Sequence, residues 1–192
     1  MTGPSRPSSA SRPQLPRPLP PSLTGPLAGL TGADLRAVRD ADADGLIELI
    51  GGVFAEYPGC VLDLPGLDAD LHQPATTAMA TGAGWWVLEE DGRIVATIGA
   101  GRLADDGSVE LKRLYVAPGH RRRGLARGLV ALVEADARQR GATSIELWSD
   151  TRFLDAHALY TSLGYAPTGE ERDLNDPSNT TEYRFTRRLD EG

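Results

Sequence analysis

The stretch Tyr115–Val130, YVAPGHRRRGLARGLV, decides how this chain is interpreted. It holds four arginines and three glycines around one proline. The pattern predicts a strand that ends at Val116, a break at Pro118 and a helix that begins near Gly124. Three functions suit such a turn: a basic patch for nucleic acid, a solvated helix face, or a cradle for a phosphate-bearing ligand.

Main-chain chemistry favours the phosphate cradle. A helix N-terminus presents free backbone N–H groups and the positive end of a dipole, and both suit a phosphate. Gly124 and Ala126 are small enough for a ligand to approach the backbone. Arginine at a helix N-terminus opposes the dipole, so the run Arg121–Arg123 is unfavourable there without an anion. The glycine-rich patterns GxxxxGK[ST] and strand-GxGxxG are both absent from the sequence.

Composition excludes several classes of protein. The 192 residues are 40% hydrophobic and 24% charged, which is typical of one globular domain with a tail. The net charge of -7 argues against nucleic-acid or anionic-membrane binding. The sequence has no run of about 18 apolar residues, so no membrane span is predicted. Cys60 is the only cysteine and the three histidines are far apart, so we expect no disulfide and no metal site. These features favour a reducing cytoplasm, and Lys112 as the only lysine indicates a GC-rich, bacterial genome.

Two regions differ in composition. Residues 1–30 carry eight of the fourteen prolines, three arginines and no acid, which predicts a disordered proline-rich tail. Residues 31–192 form the predicted folded domain. Hydrophobic periodicity and turn residues there predict the order β-α-α-β-β-β-α-β-α-β-β, with a hairpin at Asp91-Gly92 and a parallel crossover in the middle.

The turn stands in a longer pattern that resembles a known family. Arg121, Gly124 and Ala126 satisfy the spacing [R/Q]-x-x-G-x-[G/A]. The turn follows ELKRLYV (110–116) and precedes IELWS (145–149) and AHALYTSLGY (156–165). In this order and spacing the chain resembles the GNAT family of N-acetyltransferases over about residues 34–189. The resemblance implies an α/β fold: a mixed, mostly antiparallel sheet of six to seven strands with a central splayed parallel pair, flanked by about four helices.

The resemblance also implies a cofactor and its site. Acetyl-CoA would be the co-substrate, and no metal is implied. The backbones of Leu114, Tyr115 and Val116 would pair with the pantetheine arm. The pyrophosphate would lie on the turn formed by Arg121, Arg122, Arg123, Gly124, Leu125 and Ala126.

Catalytic roles follow from the same resemblance. Tyr160 would sit near the sulfur as the general acid, and Glu110, on the strand that borders the cleft, is the candidate general base. Phe54, Glu56 and Tyr57, at the end of the first helix, would line the acceptor pocket. Tyr160 as a core tyrosine and Glu110 as an ordinary strand residue are the structural alternatives. The polar stretch RDLNDPSNTTEYRF (172–185) would either pin the acceptor side of the cleft or simply form a loop.

We therefore expect an N-acetyltransferase that moves an acetyl group from acetyl-CoA to a primary amine by direct attack. The sequence shows no pattern for an enzyme nucleophile. The acceptor would be the amine of a small molecule or a peptide, and the acidic domain favours a cationic one. The family resemblance leaves a homodimer open. A non-catalytic acetyl-CoA-binding module is the alternative function.

Overall fold

The computed structural model describes residues 33–189. Within that range the element order is the predicted one, and the strand and helix numbers agree with the expected fold class. The predicted tail and the outer limits of the domain lie outside the described residues. The strands are β1 (Ala33–Ala37), β2 (Gly84–Glu90), β3 (Arg93–Leu103), β4 (Ser108–Val116), β5 (Ser144–Asp150), β6 (Ala166–Asp173) and β7 (Thr181–Arg188), and the helices are α1 (Ala43–Phe54), α2 (Pro74–Thr81), α3 (Leu125–Gln139) and α4 (Leu154–Ser162).

One sheet contains all these strands, in the order β1-β2-β3-β4-β5-β7-β6. Every neighbouring pair is antiparallel except β4 and β5, which are parallel because α3 crosses over between them. The hairpin between β2 and β3 is made by Asp91 and Gly92, both with positive φ (52° and 74°). That is the backbone geometry of a type I′ turn, so the predicted hairpin is confirmed.

The parallel pair is joined at one end only. The paired residues run from Ser108 with Ser144 to Glu110 with Glu146. Beyond this point β4 continues to Val116 and β5 to Asp150. Beyond Glu110 the two strands have separated, and their facing edges are free of ladder hydrogen bonds to each other. The splayed central pair implied by the sequence is therefore present.

A β-bulge in β4 lies where the strands separate. Lys112 pairs with Gly99 and Tyr115 with Thr97, so β4 has one residue more than β3 over this step. Arg113 occupies the bulge with a φ of 56°, an uncommon value for a residue with a side chain. A bulge bends its strand and increases the local twist. The bend therefore lies at the point where β4 leaves β5.

Helices cover both faces of the sheet and bury two clusters of apolar side chains. Trp85 and Trp86 are both buried, yet they belong to different clusters because successive residues of a strand point to opposite faces. Helices α3 and α4 pack with Trp86 over the face that includes Val109, Leu111, Ile145, Leu147 and Phe185. Helix α1 packs with Trp85 over the other face, through Leu46 and Ile50. The splayed gap thus lies between two well-filled cores.

The buried face of α3 gives a stability prediction. Leu129 is completely buried, so Leu129→Ala should lower the free energy of unfolding by about 2–5 kcal/mol through lost burial and a residual cavity. Urea denaturation followed by circular dichroism measures this change. The matched control is Leu154→Ala on α4, whose side chain is 70% exposed, and it should stay within about 0.5 kcal/mol of the parent. Equal losses in both variants would contradict the assigned core.

Candidate active site

The turn between β4 and α3 contains two residues in the left-handed region. A short 3-10 helix, Pro118–His120, follows β4, and α3 begins at Leu125 with Gly124 as its N-cap. Gly124 has a φ of 81° and Arg122 a φ of 63°. No described atom lies within 4 Å of the point where a Cβ of Gly124 would stand. The turn therefore leaves open space beside its backbone, as the phosphate-cradle hypothesis requires.

The backbone N–H groups of residues 122–127 have no acceptor within residues 33–189. The first main-chain bond of α3 runs from the N–H of Gly128 to the carbonyl of Gly124, at 3.0 Å. These free donors lie at the positive end of a helix of fifteen residues, and such an array binds anionic oxygens. The turn therefore fits the pyrophosphate of a CoA thioester by its own main-chain chemistry.

The arginines of the turn have different partners. Arg121 donates from Nε to the carbonyl of Val116 (3.1 Å) and binds Glu56 with both terminal nitrogens (2.8 and 2.5 Å). Arg123 pairs with Glu90 at 3.2 Å. Arg122 lines the cleft described below, and within residues 33–189 its guanidinium has no ion-pair partner. Arg121 and Arg123 thus fix the turn to the fold, while Arg122 is available to a ligand.

A cleft of about 1050 Å³ runs through the gap between β4 and β5. At one end it reaches the turn, where Gly124, Leu125 and Ala126 line it together with Arg121 and Arg122. Leu114, Tyr115 and Val116, the predicted pantetheine strand, line its middle. Most of the predicted cofactor residues are therefore brought together. Arg123 points instead to Glu90 and is not among the lining residues.

Tyr160 lines the cleft from α4 and is only 5% exposed. Its ring packs against Tyr165 and Phe185, with centroids 6.1 and 5.9 Å away. No residue within 33–189 forms a hydrogen bond with its hydroxyl. Burial, and next the neighbouring Tyr115, raise the pKa of Tyr160 well above the ordinary tyrosine value. The phenol therefore stays protonated at neutral pH and can donate its proton to a group in the cleft.

Aromatic rings form one wall of the cleft. Phe54 meets Tyr115 edge to face at 5.8 Å, and Tyr57 packs on Phe153 at 4.6 Å. All four line the cleft, so the structure brings Phe54 and Tyr57 to it, and their role towards an acceptor stays a prediction. Glu56, the third residue of that group, is outside the lining and is held by Arg121. Phe153 was not predicted, because it enters the wall from the loop after β5.

The half of the cleft beside this wall is acidic. The carboxylates that line the cleft are those of Asp68, Asp70, Glu110, Asp150, Asp155, Asp176 and Glu182, and the lining cations outside the turn and α3 are Lys112, Arg113 and Arg172. Arg113, at the bulge, binds Asp68 and Asp70 at 2.6 Å each. The predicted base Glu110 lines this half and places Oε2 2.8 Å from Nζ of Lys112. The negative excess favours an acceptor with positive charge.

Glu182 and Asp150 face each other across the β5–β7 pair and were missed by the sequence analysis. Asp150 is bound by Arg152 through Nε and a terminal nitrogen, and it is buried. Burial raises the pKa of Glu182 above the usual glutamate value, Arg172 opposes the rise, and the charges of Glu110 and Asp150 add to it. Only the pairing of β7 with β5 brings these two residues together, and it joins segments that are far apart in the sequence, so local sequence patterns do not reveal it.

The polar loop before β7 is attached to the segment after α1. Ser178 accepts a hydrogen bond from the N–H of Val61 (2.9 Å) and donates one to its carbonyl (3.1 Å). Asp176 accepts from the N–H and hydroxyl of Thr180 at 2.7 and 2.9 Å. Ser178, Asp176 and Thr180 all line the cleft. This loop therefore contributes to the lining of the cleft and is joined to the segment after α1.

Within residues 33–189, no group of three or more His, Cys, Asp or Glu side chains is placed to hold a metal ion. In the same range, each helix is too short or too polar to cross a membrane.

The open turn predicts the effect of a charge placed in it. Gly124→Glu adds a carboxylate where the phosphates would lie and forces a side chain onto a φ of 81°. We expect calorimetry to detect no CoA binding at concentrations that saturate the parent protein. The matched control is Gly141→Glu at the other end of α3, which has a φ of 82° and equal open space, and it should bind CoA normally. Undiminished affinity in Gly124→Glu would rule out the cradle.

Known proteins share this sequence and this fold. The acetyltransferase (GNAT) family matches residues 55–165. N-acetyltransferase 8 of Rattus norvegicus is 40% identical over 93 residues, which are 46% of this chain and 42% of that protein. N-acetylaspartate synthetase of Danio rerio is 31% identical over 130 residues, 67% of this chain and 44% of that protein. The chain thus spans less than half the length of these curated relatives.

Solved structures agree on the fold. A GNAT-family acetyltransferase from Staphylococcus aureus Mu50 has a TM-score of 0.70 at 21% identity, covering 82% of this chain and 99% of that one. A Salmonella typhimurium structure with its cofactor acetyl-CoA has a TM-score of 0.63 at 21% identity, covering 84% and 96%. The family match covers more than half of the chain, and the splayed sheet and open turn are in place. The chain therefore belongs to the GNAT acetyltransferase family.

Proposed function

We propose that this protein transfers an acetyl group from acetyl-CoA to a primary amine by direct attack of the amine on the thioester. The observation that carries the proposal is the end of β4–β5 pairing at Glu110 and Glu146. The gap beyond that point joins the donor turn at residues 122–127 to the acidic half of the cleft. A thioester held by the turn would therefore lie where an amine from the other side can reach its carbonyl.

Acetyl-CoA would be held mainly by backbone groups. The N–H groups of residues 122–127 would bind the pyrophosphate, with Arg122 as the unpaired cation beside it. The free edge of β4 from Leu114 to Val116 would offer hydrogen bonds to the pantetheine amides. The Salmonella typhimurium relative contains acetyl-CoA, and a GNAT-fold structure from Thermoplasma acidophilum contains coenzyme A, which supports this assignment.

The chemistry requires proton transfers both to and from this chain's side chains. An ammonium has no lone pair, so a cleft carboxylate must first remove one proton from the acceptor. The neutral nitrogen then forms a bond to the carbonyl carbon, and the carbon–sulfur bond breaks. Tyr160 gives its proton to the departing thiolate, and the second proton of the nitrogen restores the phenol. The products are an N-acetylated amine, free CoA and one proton released to water.

The lining of the cleft supports a cationic acceptor with an apolar part. The rings of Phe54, Tyr57, Tyr115 and Phe153 form one wall, and carboxylates outnumber cations beside it. A primary ammonium group would be attracted by the carboxylates, while an aliphatic or aromatic body would pack on the rings. Both a small amine and the side chain or N-terminus of a peptide meet this description.

Tyr160→Phe tests the role of the general acid. The substitution keeps the ring that packs on Phe185 and removes only the hydroxyl. We expect kcat to fall roughly 100-fold or more, with an unchanged Kd for CoA by calorimetry. Tyr183→Phe, at a tyrosine that is 38% exposed and outside the cleft lining, is the control and should turn over normally. Unchanged turnover in Tyr160→Phe would exclude the acid role.

A screen of acceptors tests the function itself. Acetyl-CoA is incubated with 2-phenylethylamine, spermidine or a lysine-containing peptide, and release of free thiol is recorded against 2-phenylethanol as an alcohol control. We expect thiol release with at least one amine and none with the alcohol, and a kcat/KM that falls as salt rises, since opposite charges attract the acceptor. Binding of acetyl-CoA without turnover of any amine would favour a non-catalytic binding module.

A further inference from the structure

We infer that Glu182 is the carboxylate that takes the proton from the acceptor ammonium. This inference rests on the proposed acetyl transfer and assigns a residue that the family resemblance did not supply. Glu182 lies on β7 and lines the cleft, on the face of the strand opposite to Tyr183 and Phe185, whose rings pack against α4. Its side chain is 15% exposed, so it reaches the cleft and is otherwise packed in protein.

The oxygens of four other cleft carboxylates are occupied by hydrogen bonds and ion pairs. Asp68 and Asp70 bind Arg113, and Asp150 binds Arg152 through several contacts. Asp176 accepts hydrogen bonds from the N–H and hydroxyl of Thr180. Their oxygens are less available to an incoming ammonium, so these four are structural anions of the cleft wall. A fifth carboxylate, Asp155 on α4, is exposed to solvent.

Glu110 and Glu182 each keep an oxygen without a partner within residues 33–189. Oε2 of Glu110 binds Nζ of Lys112 at 2.8 Å, and Oε2 of Glu182 accepts a hydrogen bond from Nε of Arg172 at 2.7 Å. In both residues Oε1 is free of partners in this range. They differ in their surroundings, because the Glu110 side chain is 31% exposed, about twice the fraction of Glu182. The more buried carboxylate is the less well solvated anion and therefore gains more by taking up a proton.

The charged groups around Glu182 act in opposite directions. Asp150 on β5 is its cross-strand partner, and Glu110 on β4 also interacts with it electrostatically. Both anions make a proton on Glu182 more favourable, as does burial. The opposing cation is Arg172 on β6, whose guanidinium is 4.3 Å from the ring centre of Trp148 and is held there by that ring. The pKa of Glu182 is raised, so burial and the two anions outweigh the opposing effect of Arg172. A carboxylate with a raised pKa is a stronger base, and it is still ionised at any pH above that pKa.

The position of Glu182 also suits the transfer. Its charge and that of Asp150 both act on Tyr115, whose pKa burial raises to about 12, and Tyr115 in turn acts on Tyr160. Glu182, Asp150, Tyr115 and Tyr160 all line the same cleft. An amine that enters along the aromatic wall would pass Glu182 before it reaches the thioester beside Tyr160. It would leave one proton on Oε1 of Glu182 and attack as the neutral amine, and Glu182 would then release that proton to water.

Glu182→Gln tests the inference with the amine of the screen that has the highest kcat/KM. At neutral pH we expect kcat/KM to fall roughly 100- to 10,000-fold, with an unchanged CoA Kd and an unchanged melting temperature. The deficit should shrink as pH rises towards the pKa of the amine, because water then supplies neutral amine directly. A loss that is equal at every pH would indicate a merely structural role and would overturn the inference.

Three further variants separate the role of Glu182 from that of its neighbours. Glu110→Gln should lack the deficit that shrinks as pH rises, and that deficit in this variant in place of Glu182→Gln would assign the base to Glu110. Glu171→Gln, at an exposed glutamate of β6 outside the cleft lining, should match the parent. Arg172→Met removes the cation that lowers the Glu182 pKa, so the acid limb of the kcat/KM profile should move to higher pH while activity on the alkaline side is kept. An unmoved limb would contradict the role of Glu182.

Failure of this inference differs from failure of the proposed function. If the parent protein acetylates an amine and Glu182→Gln does so equally well, the transfer stands and the base is another group. If the parent protein binds acetyl-CoA and acetylates no amine, the proposed function fails, and the role of Glu182 fails with it.

Discussion

The two ion pairs of Arg113 stabilise the irregularity on which the cleft depends. A left-handed residue with a long side chain is unfavourable in a strand, yet Arg113 takes this conformation and binds Asp68 and Asp70. These acids belong to the segment between α1 and α2, so the bulge in β4 and the wall of the acceptor side are joined. The site where β4 leaves β5 is therefore fixed by charge pairs as well as by the ladder.

The two ends of the gap differ in the kind of charge that they offer. At the turn, free N–H groups and Arg122 attract an anion, and on the other side a set of carboxylates attracts a cation. A polyanionic cofactor and a cationic amine would thus be drawn to opposite ends of one cleft and would meet where the strands separate. The buried hydroxyl of Tyr160 lies beside this gap, protonated because burial disfavours its anion.

Local patterns predicted the elements and the turn before α3 well, since a hairpin at Asp91-Gly92 and a helix start at Gly124 depend on residues that are near in sequence. They did not reveal the acidic wall. Glu182 meets Asp150 only through the pairing of β7 with β5, and Arg113 meets Asp68 across 45 residues. For Glu56, helical position suggested the acceptor pocket, but a bidentate ion pair with Arg121 directs its side chain to the turn.

That ion pair connects the two halves of the proposed reaction. Arg121 binds the carbonyl of Val116 at the end of β4 and, through Glu56, the end of α1. The same end of α1 carries Phe54 and Tyr57, which belong to the aromatic wall of the cleft. A phosphate on the turn would compete with Glu56 for the guanidinium of Arg121, so cofactor binding would alter the contacts of the segment that receives the amine. Arg121 is thus placed to make the shape of the acceptor side depend on whether the donor is bound.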